Sequence, residues 1–98
     1  MIPYARHSLD EEDIAAVTAV LRSGFLTQGP AVEGFERALA EATGARHAVV
    51  VSSGTAALHL ACLALGVTTG SRLWTSANTF VASANCALYC GADVDFVD

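Results

Sequence analysis

Apolar positions recur at helical spacing near the start of the chain. Ile14, Val17 and Leu21 lie three or four positions apart, which predicts a helix with one apolar face. Ser8 and Glu11 match the S-x-x-E pattern of a capping box, in which the serine caps the helix and the glutamate reaches back to it. We therefore expect the first helix to begin directly after Ser8.

A second helical pattern follows a short irregular stretch. Val32, Phe35 and Leu39 would share one face of this helix. Pro30 suits its first turn, where the missing N–H costs nothing. Gly44 is expected just past its end, because glycine readily adopts the left-handed conformation that closes helices.

Beyond residue 44 the pattern changes to short apolar runs that alternate with helical ones. Residues 48–51 are Ala-Val-Val-Val, which is typical of a strand covered on both faces. Residues 56–65 are rich in alanine and leucine and predict a helix buried nearly all round. A strand at residues 73–75, a helix at 78–89 and a strand at 93–98 are expected to follow.

The expected order is two leading helices and then strand, helix, strand, helix, strand. This alternation implies parallel strands with crossover helices, so the predicted fold class is α/β. We divide the chain into a helical segment at residues 1–44 and the start of an α/β sheet at residues 45–98. Because the chain stops directly after a strand, we expect a partial domain that is truncated at its C-terminus.

Composition and charge narrow the possible partners. Of the 98 residues, 53% are hydrophobic and 15% charged, and the net charge is -5, so a basic surface for nucleic acid is not expected. No apolar run reaches the roughly 18 residues of a membrane span, and because the N-terminus is polar we expect no secretory signal. We expect a cytoplasmic protein. Cys62, Cys86 and Cys90 are interpreted as buried thiols rather than metal ligands.

The turn at residues 52–55 carries the strongest candidate chemistry. It joins the predicted strand at 48–51 to a helix, so the backbone N–H groups of Gly54, Thr55 and Ala56 have no acceptor inside that helix. Together with the positive end of the helix dipole they would suit a phosphate. An ordinary serine or threonine N-cap explains the same residues equally well. No GxGxxG or Walker-type pattern is present.

A second strand-to-helix turn follows at residues 75–80. Parallel strands place such turns at the same edge of the sheet. Phe80, expected in the first helical turn, could cover a flat ligand bound near Thr55, although a plain core role is the more ordinary interpretation. The turn at residues 26–30 indicates little by itself.

Taken together, these segments resemble the pyridoxal 5'-phosphate (PLP)-dependent sugar aminotransferases of the DegT/DnrJ/StrS family. The resemblance rests on Ile-Pro-Tyr at residues 2–4, an acidic-capped helix at 10–21, LTQGP at 26–30, SSGTAALHLAC at 52–62 and TFVASANCALYCGA…FVD at 79–98. The chain departs from the family pattern at residues 71–72, where an acidic pair is usual, and at Ala77, where proline is frequent. The resemblance implies the N-terminal part of the large domain of a PLP-dependent transferase of fold type I.

The resemblance also assigns roles to individual residues. It implies that Gly54, Thr55 and Ala56 hold the cofactor phosphate, that Phe80 stacks on the pyridine ring, and that Thr27 lies near the substrate. It implies no catalytic residue in this chain, because the lysine that forms the Schiff base comes from later sequence. All five basic residues here are arginines. It places the first strand on the far side of the sheet from the other two, with the intervening strands contributed after residue 98.

The implied activity is amino transfer, with glutamate as the usual donor, to a nucleotide-linked keto sugar. The motif sequences most resemble those of the branch that aminates UDP-4-keto-6-deoxy-N-acetylhexosamine in the biosynthesis of pseudaminic acid, a cell-surface sugar. A homodimer is implied for the longer protein. Two alternatives stay open. One is a PLP-dependent sugar dehydratase of the same family, in which histidine replaces the lysine, and the other is a non-catalytic truncated or oligomerisation module.

Overall fold

The computed structural model describes residue 2 and residues 5–97, so the family-like Pro3 and Tyr4 and the final Asp98 lie outside the described residues. Its contacts divide the chain into two compact units, Met1–Val49 and Val50–Asp98. The elements, in chain order, are α1 (Glu11–Arg22), α2 (Pro30–Thr43), α3 (Gly54–Ala64), β1 (Arg72–Ser76), α4 (Ala82–Tyr89) and β2 (Asp93–Val97). None of the described helices is both long and apolar enough to cross a bilayer.

The first helix starts later than predicted, with Asp10 as its N-cap instead of Ser8. Asp10 Oδ1 accepts the N–H groups of Glu12 and Asp13 at 2.9 and 3.0 Å. Asp13 Oδ2 accepts the Asp10 N–H at 3.1 Å in return. A carboxylate at this position accepts two N–H groups and also interacts with the helix dipole. The capping box is therefore real, but the prediction of Ser8 and Glu11 as its members is wrong.

The second helix confirms its prediction at both ends. Pro30 occupies the first turn of α2 and Thr43 its last position. Gly44 follows with φ of 71°, the left-handed conformation that was expected of it. The Thr43 hydroxyl donates to the Leu39 carbonyl one turn earlier at 2.8 Å.

The second unit contains a two-stranded parallel sheet in which β1 pairs with β2. The register joins Arg72 to Asp93 and Ser76 to Val97. Helix α4 connects the two strands and packs against both, while α3 packs against α4. This strand-helix-strand unit confirms the predicted parallel pairing of the last two strands.

Residues 48–51 form no strand, contrary to the prediction. The described strands β1 and β2 pair with each other, and neither pairs with this segment. A strand is defined by hydrogen bonds to a neighbour, so a β-branched run without that neighbour is left irregular.

Helix α4 begins at Ala82, four residues later than the predicted helix at 78–89. The Ser76 hydroxyl accepts the Asn78 N–H at 3.2 Å. Short polar side chains that bond to the nearby backbone in this way compete with helix formation. Phe80 consequently precedes α4, and its predicted place in the first helical turn is wrong.

The core of the second unit is small. Its buried hydrophobic residues are Cys62, Ala82, Cys86, Ala87 and Ala92. Helix α3 is not buried nearly all round as predicted, because Leu58, Leu60 and Leu63 remain 40–51% exposed. The physical reason is that α4 is the main element packed against α3, which leaves much of the α3 surface uncovered.

Candidate functional site

The turn before α3 is shaped by Ser53. This residue has an extended backbone, with φ of −164° and ψ of 161°, and serves as the N-cap of α3. Its Oγ accepts the Ala56 N–H at 3.2 Å, and its carbonyl accepts the Ala57 N–H at 3.0 Å. The helix consequently begins at Gly54, so the predicted strand-to-helix turn places its three candidate residues in one helical turn.

The three candidate amides are not equivalent. Within the described part of the chain, the N–H groups of Gly54 and Thr55 have no hydrogen-bond acceptor, whereas the Ala56 N–H is held by Ser53. The first turn of α3 contains no acidic side chain that would repel an anion. Sequence reasoning treated all three amides alike. In the structure, two of the three predicted N–H groups, those of Gly54 and Thr55, have no acceptor among the described residues.

The space in front of Gly54 is open. A Cβ placed on this glycine would meet no heavy atom within 4 Å. Thr55, next to it in the first turn of α3, is half-buried. A phosphate requires several N–H donors and no competing anion, and these residues meet both requirements.

Phe80 lies on the turn between β1 and α4, in the same unit as Thr55. The residue is 72% exposed, so within this unit it is not the core residue that the more ordinary interpretation suggested. An exposed aromatic ring is free to stack on a ligand. Its stacking role stays a prediction.

Thr27 belongs to the first unit and is exposed. The turn that carries it is tightly built. Gln28 has φ of 50°, the sole positive φ of a non-glycine residue in the described part of the chain. Gly29 is buried, and a Cβ there would lie 2.8 Å from the Phe25 Cβ. The turn is therefore sterically restricted, and the role of Thr27 near a substrate stays a prediction.

Three thiols lie together where α3 meets α4. Burial, followed by the neighbouring thiols of Cys86 and Cys90, raises the pKa of Cys62 to about 11. His59 on α3 also contacts Tyr89 on α4 edge to face, with ring centroids 5.3 Å apart. The described residues contain no group of three or more side chains arranged to hold a metal ion. The thiols and the His59–Tyr89 contact join α3 to α4 and its C-terminal end.

An apolar cleft of about 670 Å³ lies in the first unit. The residues that line it are all apolar: Ala16, Val17, Val20, Leu21, Leu26 and Phe35. A phosphate needs hydrogen-bond donors, so the cleft does not compete with the α3 turn as a phosphate site.

The chain matches known proteins along its whole length. The family model of the DegT/DnrJ/EryC1/StrS aminotransferases matches residues 7–98. A UDP-4-amino-4,6-dideoxy-N-acetyl-beta-L-altrosamine transaminase of Campylobacter jejuni is 47% identical over 98 residues, which are 100% of this chain and 26% of the relative. A UDP-4-amino-4-deoxy-L-arabinose--oxoglutarate aminotransferase of Shewanella sediminis is 43% identical over 97 residues, 99% of this chain and 25% of the relative.

The fold is likewise shared with solved structures. A sugar aminotransferase of Streptococcus pneumoniae in its PLP form superposes with a TM-score of 0.89 at 35% identity, covering 99% of this chain and 25% of that one. The chain thus spans about a quarter of the length of its curated relatives. Its mixed helices and strands are those of the N-terminal part of the PLP-dependent aminotransferase fold. By sequence and by fold, the chain belongs to the DegT/DnrJ/EryC1/StrS aminotransferase family.

Proposed function

We propose that this chain forms the N-terminal portion of a PLP-dependent aminotransferase that delivers an amino group to a nucleotide-linked keto sugar. One observation carries the proposal. The N–H groups of Gly54 and Thr55 lie without an acceptor, among the described residues, at the start of α3. In a chain of this family, such a pair is well suited to the phosphate of PLP.

Several features of the α3 turn support this assignment. The two N–H groups would donate to phosphate oxygens, and the Thr55 hydroxyl would add a third donor. The positive end of the α3 dipole would lower the energy of the dianion. The open space before Gly54 would let the phosphate approach the backbone closely. When bound, PLP supplies the electron sink for amino transfer, and the task of these residues is to anchor it in one orientation.

Phe80 is proposed to orient the ring of the cofactor. Its exposed side chain could stack on the flat pyridine, which would restrict tilting of the ring. Thr27, on the rigid turn before α2, is proposed to contact the sugar substrate. These two roles are independent of each other, since either side chain can be removed without touching the α3 turn.

The proposed acceptor substrate is UDP-4-keto-6-deoxy-N-acetylhexosamine, and the proposed donor is glutamate. The Campylobacter relative is named for a 4-amino-4,6-dideoxy-N-acetyl sugar linked to UDP, which supports the acceptor. The Shewanella relative is named for oxoglutarate, the keto acid of glutamate, which supports the donor. The proposal includes a pseudaminic acid pathway, a homodimer and a cytoplasmic location for the full-length protein.

This chain by itself is proposed to be inactive. All five of its basic residues other than histidine are arginines, so it has no lysine. Aminotransferases of this kind need a lysine amine to bind the cofactor covalently and to move a proton. Borohydride treatment of the chain with PLP should accordingly leave no pyridoxyl group on any side chain by mass spectrometry.

The experiment uses the full-length protein, meaning the product of the complete coding sequence that contains this chain. We expect it to bind PLP and to form 2-oxoglutarate from glutamate in the presence of the keto sugar. Thr55→Ala should weaken PLP binding by about 1–2 kcal/mol through loss of a hydrogen bond to a charged group. Thr68→Ala, on an exposed loop, is the matched control. A Thr55→Ala protein with the PLP affinity of Thr68→Ala would contradict the site.

A further inference from the structure

Ser53 is the residue that makes the amides of the α3 turn unequal. Its Oγ lies 3.2 Å from the Ala56 nitrogen and accepts that N–H. Its own backbone is extended, so the helical conformation begins at Gly54. No other described side chain caps this helix. The hydroxyl of Ser53 is therefore the side-chain contact that fixes where α3 begins.

The cap therefore places the first three N–H groups of α3 in different hydrogen-bonding states. Without the cap, all three would compete for water or for any anion, and the first turn could fray. With the cap, the third N–H is held by the protein itself. The first two, of Gly54 and Thr55, then point out of the helix from a fixed turn.

We propose that Ser53 is a positioning residue for the cofactor phosphate. By accepting the Ala56 N–H it holds the first turn of α3 in place, so that the phosphate meets the N–H groups of Gly54 and Thr55 already aligned. This inference rests on the proposed function, and it narrows the predicted amide donors from three to two. Ser53 acts through the backbone and needs no contact with the reacting atoms.

The variants are chosen to separate the effect of the cap's acceptor oxygen from the effect of charge near the expected phosphate position. Ser53→Asn keeps an uncharged acceptor at the N-cap, whereas Ser53→Ala removes it. Ser53→Asp also keeps the acceptor but adds a negative charge beside the expected phosphate position. Ser52→Ala is the matched control, because Ser52 is an exposed neighbouring serine that does not cap α3.

The test measures PLP binding to the full-length protein by titration, and hydrogen exchange of the amides at residues 54–57 without PLP. We expect Ser53→Ala to weaken PLP binding about threefold to thirtyfold and to speed exchange in this turn. Ser53→Asn and Ser52→Ala should stay within about twofold of wild type. Ser53→Asp should keep slow exchange yet lose at least about tenfold in affinity, because like charges repel.

Each contrary result has a distinct meaning. PLP affinity unchanged in both Ser53→Ala and Ser53→Asp would overturn the positioning role and leave the proposed function intact. Equal weakening in Ser53→Ala and Ser53→Asn, with unchanged exchange, would also overturn it, because the hydroxyl would then contact the phosphate directly. A wild-type protein that binds no PLP would refute the proposed function, and the role of Ser53 with it. If Ser53→Ala does not fold, the contrast between Ser53→Asn and Ser53→Asp decides.

Discussion

The two units of the chain reach their structure in different ways. In the first unit, α1 and α2 contain no buried residue, and each helix is delimited by its own caps. In the second unit, β1 and β2 are paired, α4 packs on both, and α3 packs on α4. The first unit therefore shows what local signals can define alone. The second shows what requires pairing between distant residues.

Two short segments illustrate the same difference between local signals and strand pairing. Residues 48–51 have strong β propensity yet form no strand, whereas Arg72–Ser76 begins with a charged residue and does form one. The distinguishing factor is the partner, because β2 lies beside β1 in register. Propensity is thus secondary to the availability of a neighbouring strand.

The largest expected effect concerns the whole chain. Ile14, Phe35, Leu63 and Trp74 are among the large apolar side chains that remain more than half exposed, and such surfaces favour association. We expect the isolated 98-residue chain to associate and to lack a single cooperative melting transition. Light scattering combined with thermal melting by circular dichroism tests this. A monomeric chain with one cooperative transition would show that the small core suffices.

A substitution in the core should destabilise the second unit and leave the first unit unchanged. Ala87 is fully buried in the second unit, at 0% exposure, and Ala87→Leu would overpack it at a cost of about 1–3 kcal/mol. Ala15→Leu, on an exposed position of α1, is the control. Hydrogen exchange of the chain should quicken in α4 for Ala87→Leu alone. Equal exchange in the two variants would mean that Ala87 is not part of a packed core.

Alkaline pH should also act on the second unit. The pKa of Cys62 is raised by burial from 9.0 to about 11, so the unfolded thiol loses its proton first. Its contribution to stability is therefore fully present below pH 9.0 and is lost as the pH rises toward about 11. Trp74 is the single tryptophan and lies in β1, so its fluorescence reports on this unit. Cys62→Ala should flatten the change across this range, and an identical alkaline response in that variant would exclude Cys62 as its source.

The smallest effect is expected in the first unit, at the start of α1. Asp10→Ala removes the carboxylate that accepts the N–H groups of Glu12 and Asp13, keeps the backbone N–H that donates to Asp13, and should destabilise α1 by about 1 kcal/mol. Ser8→Ala is the matched control and should change nothing, because α1 begins beyond it. Hydrogen exchange at Glu11–Arg22 measures both. Faster exchange in Ser8→Ala than in Asp10→Ala would indicate that Ser8, as the sequence pattern predicts, caps α1.

The sequence predicts best where a decision is local. Pro30 and Gly44 define α2 correctly, because proline and glycine act through their own backbone conformations. The cap of α1 is Asp10 and not the predicted Ser8, because a sequence pattern does not show which backbone N–H groups a side chain reaches. The start of α4 was misplaced because the Ser76 hydroxyl holds the preceding turn. The lack of a strand at residues 48–51 could not be predicted from those residues alone, because strand formation depends on a pairing partner.

The candidate site follows the same division. The start of α3 was predictable to within two residues: the helix was expected from residue 56 and begins at Gly54, directly after its Ser53 cap. The inequality of its amides was not, because the pattern does not say which N–H the serine accepts. The signal that could have suggested the inequality is Ser53 itself, because an N-cap serine often accepts the N–H three positions later, here that of Ala56. The exposure of Phe80 depends on what packs around it, which no local pattern encodes.

The central claim, that the start of α3 anchors the cofactor phosphate, is tested most directly by a crystal structure of the full-length protein with PLP. The account predicts phosphate oxygens at hydrogen-bond distance, about 2.7–3.2 Å, from the nitrogens of Gly54 and Thr55, with the Ala56 N–H still held by Ser53. A phosphate bound elsewhere, with these two N–H groups facing solvent, would contradict it.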